Sequence, residues 1–386
     1  MIKKVLGVLL LIIILLPIAM WVAWLLTPEK KLVIAIIDKT VLTTQGQEHI
    51  SLNWILNNNR FTKTSDKPYK INRDYFGFFP LKNENYELKG LERFSSNQLS
   101  QLSLDADLVY YTDTYGVYNN EWFKNGNISE RSGMLYGGLS NQDIELLVEM
   151  KRRHKLILTE FNTIGSPTQV QNRKEFEKLF GLTWTGWTAR YFNNLDLHVN
   201  QEIPSWLVRN YKSAHDGQWP FTRAGVAFVN KDKVVILEEG RHLEHALPYI
   251  FVTPKAQERF GLPDTMKYSF WFDVMIPNLD VNQVEASFGL NLTGSGKKEL
   301  AKNKIPQTFP AVMSHVGDDY RFYYFSGDFS DNPIGINSSY FKGIGFFKGI
   351  FYDDRDPSER SSFFWGFYRP LLNKILQEEM ELLHKD

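Results

Sequence analysis

An uninterrupted apolar run covers residues 5–26 and limits the architectures open to this chain. As a helix rising 1.5 Å per residue, the run would extend over about 33 Å, which exceeds the roughly 30 Å hydrocarbon core of a bilayer. The apolar region of a signal peptide is shorter, at about 7–15 residues. No pair of small residues marks a cleavage site near Trp21 and Trp24. We therefore predict an uncleaved transmembrane signal anchor over residues 1–31.

Lysines flank both ends of this run. Lys3 and Lys4 precede it, and Lys30 and Lys31 follow it, with Glu29 partly offsetting the second pair. Short lysine-bearing N-terminal tails usually stay in the cytoplasm, and a chain without cysteine is compatible with export. We predict a single-pass plasma-membrane protein with a cytoplasmic N-terminus and the bulk of the chain extracytoplasmic. The alternative is the same anchor with a cytoplasmic domain.

Composition excludes several functional classes. Lys plus Arg and Asp plus Glu both number 44, so no basic excess favours a nucleic-acid partner. Without cysteine there is no disulfide, thiolate nucleophile or thiolate-bound metal cluster. The segment 293–298 resembles a phosphate loop, but no glycine lies five residues before Gly296 and no hydroxyl residue follows Lys297. We therefore predict no cofactor.

After the anchor, apolar runs repeatedly end at an acidic residue. These runs are 32–37 before Asp38, 106–112 before Asp113, 155–159 before Glu160, 233–237 before Glu238 and Glu239, and 320–325 leading to Asp328. Strands buried on both faces lose the alternation of half-exposed ones. Helical patterns separate several runs, notably one that begins at Ser140 with Asp143 three residues on. This order predicts an α/β three-layer sandwich with a mainly parallel, doubly wound sheet, preceded by one transmembrane helix.

The region 263–310 has a different character. It contains an aromatic strand pattern at 268–274 and a polar segment rich in Gly and Lys at 291–304. We predict an insertion within one α/β domain that covers 32–386 and ends in a C-terminal helix.

The acidic residues that follow the predicted strands are the first candidate site. Ligands of open parallel sheets bind at the carboxyl ends of the strands, so Glu160, Asp38, Asp113 and Asp328 are candidate catalytic residues. Glu239 is a candidate ligand-binding residue at the same edge. Clustered carboxylates raise one another's pKa values and can serve acid–base chemistry, glycosidic bond cleavage or cation binding. The alternative is that each acid caps the helix after its strand.

Histidines and tryptophans supply further candidates. His215 lies in a turn-rich loop, and Trp184 and Trp187 could stack on sugar rings or be buried in the core. His242 and His245 have an i, i+3 spacing that would place two imidazoles on one helical face, which makes them weak candidates for a metal site. Apart from this pair, the sequence predicts no metal site.

Three segments resemble membrane-linked relatives of the class I glutamine amidotransferase-like fold, which is flavodoxin-like. They are DADLVYYTDTYG at 105–116, LILTEFNTIGSPT at 156–168 and FGLTWTGW at 180–187. The resemblance covers about 32–240 and implies the fold. Active members of that family place a cysteine on a tight turn after a strand, whereas the matching turn here is Glu160-Phe161-Asn162. Thiol-based glutamine hydrolysis is therefore excluded, and the resemblance implies a degenerate domain.

Two functional hypotheses follow. The first is a membrane-anchored, non-catalytic envelope protein that binds a partner protein or a polysaccharide during production or export of a surface polymer. The second is a carboxylate-based glycan hydrolase that uses Glu160 and one of Asp38, Asp113 or Asp328 as acid and base.

Overall fold

The computed structural model describes residues 2–44, 46–124, 126–127, 130–353 and 355–384, with side chains from Ile13 onward except that of Gln47. Met1 and residues 385–386, at the ends of the predicted domain ranges, lie outside the described residues.

The strands of the described residues are β1 (Lys30–Lys31), β2 (Ile34–Asp38), β3 (Phe61–Thr62), β4 (Phe76–Pro80), β5 (Tyr86–Leu88), β6 (Leu108–Asp113), β7 (Val117–Tyr118), β8 (Met134–Tyr136), β9 (Leu156–Glu160), β10 (Leu182–Phe192), β11 (Gly225–Asn230), β12 (Lys233–Glu238), β13 (Leu243–Val252), β14 (Thr265–Lys267), β15 (Trp271–Pro277), β16 (Gln283–Leu292), β17 (Thr308–Val316) and β18 (Arg321–Phe325).

The α-helices are α1 (Ile2–Leu25), α2 (Ile50–Asn58), α3 (Ser96–Asp105), α4 (Asn119–Trp122), α5 (Asn141–Arg152), α6 (Val170–Phe180), α7 (Ser205–Ser213), α8 (Pro254–Phe260), α9 (Gly294–Lys302), α10 (Ser361–Phe363) and α11 (Arg369–Leu383). Short 3₁₀ segments cover Gln47–His49, Leu91–Arg93, Ile336–Tyr340 and Ile344–Ile350, and a π-helical turn covers Phe364–Tyr368.

The main sheet has ten strands in the order β14-β13-β16-β17-β18-β9-β6-β2-β4-β5. Strands β18, β9, β6, β2 and β4 run parallel to their neighbours within this set. The strands from β14 to β17 extend the sheet with antiparallel pairs. The predicted α/β class is confirmed. The sheet is mixed, however, because only five of its ten strands form the parallel part.

Burial on both faces explains why the parallel strands were recognisable in the sequence. All residues of β2, β6 and β9 are buried. Successive side chains serve opposite layers: Tyr110 belongs to the same core cluster as Trp54 and Leu376, whereas Tyr111 belongs to a second core cluster with Leu147 and Phe176. The sheet is thus covered by α2 and α11 on one side and by α5 and α6 on the other.

The helix predicted before β9 is confirmed as α5. The hydroxyl of Ser140 accepts a hydrogen bond from the Asp143 backbone N–H at 3.1 Å, and the Asp143 carboxylate accepts one from the Ser140 N–H at 2.7 Å. This reciprocal cap satisfies two otherwise unpaired donors at the helix start. Lys151 and Arg152 lie in the last turn, as the sequence predicts.

A second sheet of four antiparallel strands has the order β12-β11-β10-β15. The prediction that the run 233–237 joins the parallel sheet is wrong, because this run forms β12 and pairs antiparallel with β11. The turn between β11 and β12 is tight, and Lys231 in this turn has a left-handed backbone with a φ of 55°. The residues of 263–310 are distributed over both sheets: β14, β16 and β17 belong to the main sheet and β15 to the second. The polar segment contains α9.

The helix α1 occupies the position of the predicted membrane anchor. Within the described residues, however, no helix combines the length and the apolar character that crossing a bilayer would demand. The transmembrane part of the prediction is therefore unsupported.

Candidate functional site

Four parallel strands bring acidic side chains to one edge of the main sheet. Asp38 ends β2 and is the register partner of Asp113 at the end of β6. Glu160 ends β9 opposite Phe325, the last residue of β18, and Asp328 follows three residues later. All four carboxyl groups are buried. The four candidate catalytic residues therefore lie at one edge, although their role stays a prediction.

Asp38 is held by a histidine that the sequence analysis did not single out as a site residue. His49 Nδ1 contacts Asp38 Oδ2, and its Nε2 lies 2.8 Å from the carbonyl oxygen of Ile71. Because a carbonyl only accepts, the Nε2 proton points to Ile71, and the Asp38–His49 contact needs a second proton. Both ring nitrogens are engaged, so His49 orients Asp38 and has no free lone pair for a ligand.

Asp113 accepts three hydrogen bonds. The donors are the Thr40 hydroxyl at 2.6 Å, the Tyr115 backbone N–H at 2.5 Å and the Asn162 side-chain amide at 3.2 Å. Burial raises the pKa of Asp113 to about 7 against the lowering effect of its hydrogen bonds, and the neighbouring Asp38 adds to the rise. Asp113 therefore titrates near neutral pH.

Glu160 is sealed within the protein. It is fully buried and accepts hydrogen bonds from the hydroxyls of Ser330 and, at 3.4 Å, Tyr110. The hydroxyls of Tyr110 and Tyr368 lie 3.0 Å apart, with Tyr368 placed by the π-helical turn. Burial, and after it the charge of Asp328, raises the pKa of Glu160 well above its ordinary value. Glu160 thus holds a proton more tightly than an exposed carboxylate does, and its side chain is out of contact with solvent.

A further aspartate connects the second sheet to the acidic edge of the main sheet. Asp273, on β15, accepts hydrogen bonds from the Thr188 hydroxyl at 2.7 Å and from the Asn162 backbone N–H at 3.4 Å. Burial raises the pKa of Asp273 to about 7. Asn162 therefore bridges Asp273 and Asp113, with a left-handed backbone at φ 64°. No local sequence pattern predicts this connection, because Asp273 lies inside an apolar strand of the second sheet.

Glu48, Asp328 and Asp331 form what we term the carboxylate triad. One carboxylate oxygen from each lies within 4.8 Å of the others. Asp328 and Asp331 are buried, and Glu48 is partly exposed. Burial raises the pKa of Glu48 well above its ordinary value, and Asp331 and Asp328 add to the rise. Oxygen ligands in this arrangement suit a hard divalent cation such as Ca²⁺ or Mg²⁺.

The whole edge carries more acidic than basic groups. Its six carboxyl groups belong to Asp38, Glu48, Asp113, Glu160, Asp328 and Asp331. Among the described residues, Arg360 Nη1 lies 3.3 Å from Asp331, and His49 contacts Asp38. Two basic groups cannot neutralise five buried carboxyl groups and the partly exposed Glu48, so the edge needs bound protons or a cation.

A cavity of about 510 Å³ lies beside the triad. Ser269, Phe270 and Arg360 line both this cavity and a small adjoining pocket that reaches Asp328. The Arg360 guanidinium stacks on Phe270 at 3.6 Å from the ring centroid and donates to the Asp331 carbonyl at 3.0 Å. Arg360 therefore separates the cavity from the triad, and the cavity has the size of a small-molecule site.

The candidate ligand-binding residues lie elsewhere. Glu239 follows β12, so it belongs to the second sheet and the prediction that it joins the other acids is wrong. His215 follows α7, with its ring stacked on Tyr211 at 3.9 Å and its Nδ1 2.8 Å from the Tyr211 carbonyl. Trp187 is buried in the core, and Trp184 donates its indole N–H to the Trp187 carbonyl at 3.1 Å. Of these two rings, Trp187 offers no exposed face for a sugar.

The helical face predicted for His242 and His245 does not form. Leu243–Val252 is a strand, and its alternate residues Ile250 and Val252 pack in the core. His245 is exposed on that strand, and His242 accepts the Glu238 backbone N–H through Nδ1 at 3.2 Å. Outside the triad, no trio of His, Asp or Glu in the described part of the chain comes close enough to share an ion.

Glu48 and Asp331 are the residues that sequence reasoning missed. Glu48 lies ten residues beyond β2, in a 3₁₀ turn that no apolar pattern marks. Asp331 follows Asp328 by three residues in the stretch SGDFSDN, and this local concentration of oxygen-bearing side chains was the available signal.

Comparisons with known proteins give weak structural likenesses. A glutamine amidotransferase from Thermotoga maritima is 10% identical, with a TM-score of 0.38 over 91% of this chain and 98% of that one. A ThuA-like protein from Bacteroides uniformis is 9% identical, with a TM-score of 0.35 over 80% of this chain and 87% of that one. A carbohydrate deacetylase is 10% identical, with a TM-score of 0.32 over 78% of this chain and 30% of that one.

No protein-family model matches the sequence, and no curated protein is similar enough to count as a relative. The similar structures thus include a glutamine amidotransferase, the family that the sequence resembles, but they assign no activity to this chain.

Proposed function

We propose that this protein is a non-catalytic binding protein of the cell envelope whose carboxylate triad binds a divalent cation. The observation that carries the proposal is the close approach of Glu48, Asp328 and Asp331 at an edge with too few basic groups to balance them. A cation would offset the burial and the mutual repulsion of the carboxylates that raise the pKa values of Glu48 and Asp328.

The ligand that we propose for this site is an envelope polysaccharide or the exposed part of a partner protein. The neighbouring cavity of about 510 Å³ has room for one or two sugar rings. Arg360, which lines this cavity, offers a guanidinium group to which hydroxyl or carboxylate oxygens can bind.

We further propose that α1 attaches the protein to the plasma membrane, with the N-terminus in the cytoplasm and the bulk of the chain outside. Ile13, Ile18 and Trp21 on α1, and Leu26 just beyond it, are exposed apolar side chains, which supports attachment to lipid.

Adding Ca²⁺, Mg²⁺ or Mn²⁺ after chelation is expected to raise the melting temperature by several degrees for at least one ion. A ligand at a hundred times its Kd stabilises a folded protein by about 2.7 kcal/mol. Asp331→Asn and Glu48→Gln should each remove most of the shift, because each takes a charged oxygen from the triad. The matched control is Asp280→Asn, an exposed acid elsewhere, which should keep the full shift. A wild-type melting temperature insensitive to all three ions would contradict the proposal.

Glu160→Gln separates this proposal from the glycan hydrolase. Glutamine keeps the shape of the buried Glu160 side chain, and burial already disfavours a charge at this position, so we expect the melting temperature to change little and the cation-induced shift to persist. The measurement is release of reducing ends from envelope polysaccharide by the wild type and the variant. Release by the wild type that disappears in Glu160→Gln would establish the hydrolase instead.

A further inference from the structure

We propose that the chain contacts the bilayer at a second place, through a segment at 341–351 that we term the interfacial segment. This inference builds on the proposed attachment by α1, but it does not require that α1 cross the membrane. The proposed occupant is the headgroup region of a bilayer that contains anionic lipid.

The apolar side chains of the interfacial segment face outward. Phe346 is 93% exposed and Ile350 is 79% exposed, and Phe347 and Phe351 are partly exposed. Four large apolar side chains with exposed surface thus lie within six residues, a concentration that soluble proteins seldom leave uncovered. A surface of this kind marks a contact with lipid or with another protein.

The segment lies directly beside the exposed end of α1. The Lys342 backbone N–H donates to the Met20 carbonyl at 3.1 Å, and Trp24 packs edge-on against Tyr340 at 4.9 Å between ring centroids. Trp21 on α1 is also exposed. The apolar surface of α1 therefore continues into the interfacial segment, with tryptophan, tyrosine and phenylalanine at the junction, as at a membrane interface.

Hydrogen bonds fix α1 to the rest of the protein at this junction. The Arg60 guanidinium donates to the Leu25 carbonyl at 2.6 Å, and the Trp24 indole donates to the Asn57 carbonyl at 2.9 Å. Because the end of α1 is tied to the residues around α2, a bilayer that accepts α1 would meet the interfacial segment at a set position.

The inner face of the segment is packed, so only one face is free. Phe351 stacks on Trp365 at 5.4 Å, and a Cβ on Gly345 would come within 2.7 Å of Arg369 Nη1. These contacts hold the segment against the C-terminal helices and leave Phe346 and Ile350 pointing away from them.

Charge favours lipid over a second copy of the chain. Lys342 and Lys348 lie within the segment, and burial, together with the nearby Lys30 and Arg369, lowers the pKa of Lys342. Four basic side chains near one apolar patch would repel the same patch on a second copy, whereas they attract anionic headgroups at the depth where the aromatic rings insert.

The absence of native cysteine allows a direct test. Phe346→Cys, Ile18→Cys and Leu279→Cys would each carry one environment-sensitive fluorophore on the full chain, reconstituted in phosphatidylcholine vesicles with or without phosphatidylglycerol. Leu279 is the matched control, because it is a 72% exposed apolar residue away from the patch. We expect the label at position 346 to become several-fold less accessible to aqueous iodide in vesicles, more so with phosphatidylglycerol, and the label at 279 to stay accessible.

The positions separate the two proposals. If the label at 18 is protected by lipid and the label at 346 is as accessible as that at 279, the interfacial segment is not a membrane contact. If 346 is protected and 18 is not, the inference stands and attachment by α1 fails. The label at position 346 could also be protected from iodide to the same extent in detergent at high protein concentration, or in the absence of lipid. Either result would show a protein interface and overturn the inference. Accessible labels at both 18 and 346 reject both proposals.

Discussion

Replacing Lys39 by methionine is expected to lower the free energy of unfolding by about 3–5 kcal/mol, the usual cost of removing one partner from a buried ion pair. Lys39 is fully buried, and its Nζ lies 2.6 Å from Asp143 Oδ2 and 3.0 Å from the Gly138 carbonyl oxygen. Burial alone lowers the pKa of Lys39, but the charges of Asp143 and Glu92 outweigh it and the net pKa is raised. Without the Lys39 ammonium group, the buried Asp143 carboxylate would lose the positive charge that it is paired with.

The measurement is a guanidinium chloride titration of the wild type, Lys39→Met, Asp143→Asn and the double variant Lys39→Met/Asp143→Asn. The double variant should lose less than the two single changes added together, because no fully buried charge is left unpaired; Glu92, the other partner of Lys39, is partly exposed to solvent. Lys298→Met, at an exposed lysine on α9, is the control and should change stability by less than about 0.5 kcal/mol. A loss below about 1 kcal/mol for Lys39→Met would show that the pair contributes little.

This ion pair also matters for the site. Lys39 directly follows Asp38, and its backbone N–H donates to the Asp113 carbonyl at 2.9 Å. The buried ammonium group therefore fixes the chain at the point where β2 delivers Asp38 to the acidic edge.

Raising the pH from about 5 to about 8 without divalent cations is expected to destabilise the protein by several kcal/mol. The folded-state pKa values of Asp113 and Asp273 are raised to about 7 from the ordinary 3.8. A raised pKa means that the folded state binds the proton more tightly, so the stabilisation is complete below pH 3.8 and is lost as the pH rises through 7. Between pH 5 and pH 7 each group loses about 2.7 kcal/mol of stabilisation, which is two pH units at about 1.36 kcal/mol each. Glu48, Glu160 and Asp328 shift in the same direction.

Unfolding free energies measured at pH 5, 6, 7 and 8 in the presence of a chelator test this expectation. Asp273→Asn should flatten the pH dependence, because it removes one of the titrating groups while keeping an acceptor for Thr188. If the triad binds a cation, adding the ion at pH 8 should restore part of the loss. Greater stability at pH 8 than at pH 5 in the chelated wild type would mean that these carboxyl groups ionise in the folded state at little cost.

The acidic edge could be predicted because its strands are buried on both faces. In β2, β6 and β9 the apolar residues continue without alternation up to the terminal acid. Few structural elements other than strands buried on both faces show this pattern. The cap of α5 was equally local, since Ser140 and Asp143 are three residues apart.

The remaining parts depend on contacts that no local pattern records. The apolar run of β12 is buried because the second sheet packs against the core, and this burial gives the same sequence pattern as a central parallel strand. Glu48 and Asp331 meet only because a 3₁₀ turn after β2 and the loop after β18 cross the same edge. Asp273 lies within a buried strand, where an acid normally argues against burial.

The outer strands of the ten-stranded sheet are β14 and β5, each only three residues long. So short a row of unpaired backbone groups is a poor template for a further strand. The sheet is therefore protected against growing from chain to chain into fibrils, and concentrated preparations of the protein should resist amyloid-type aggregation that starts from either border.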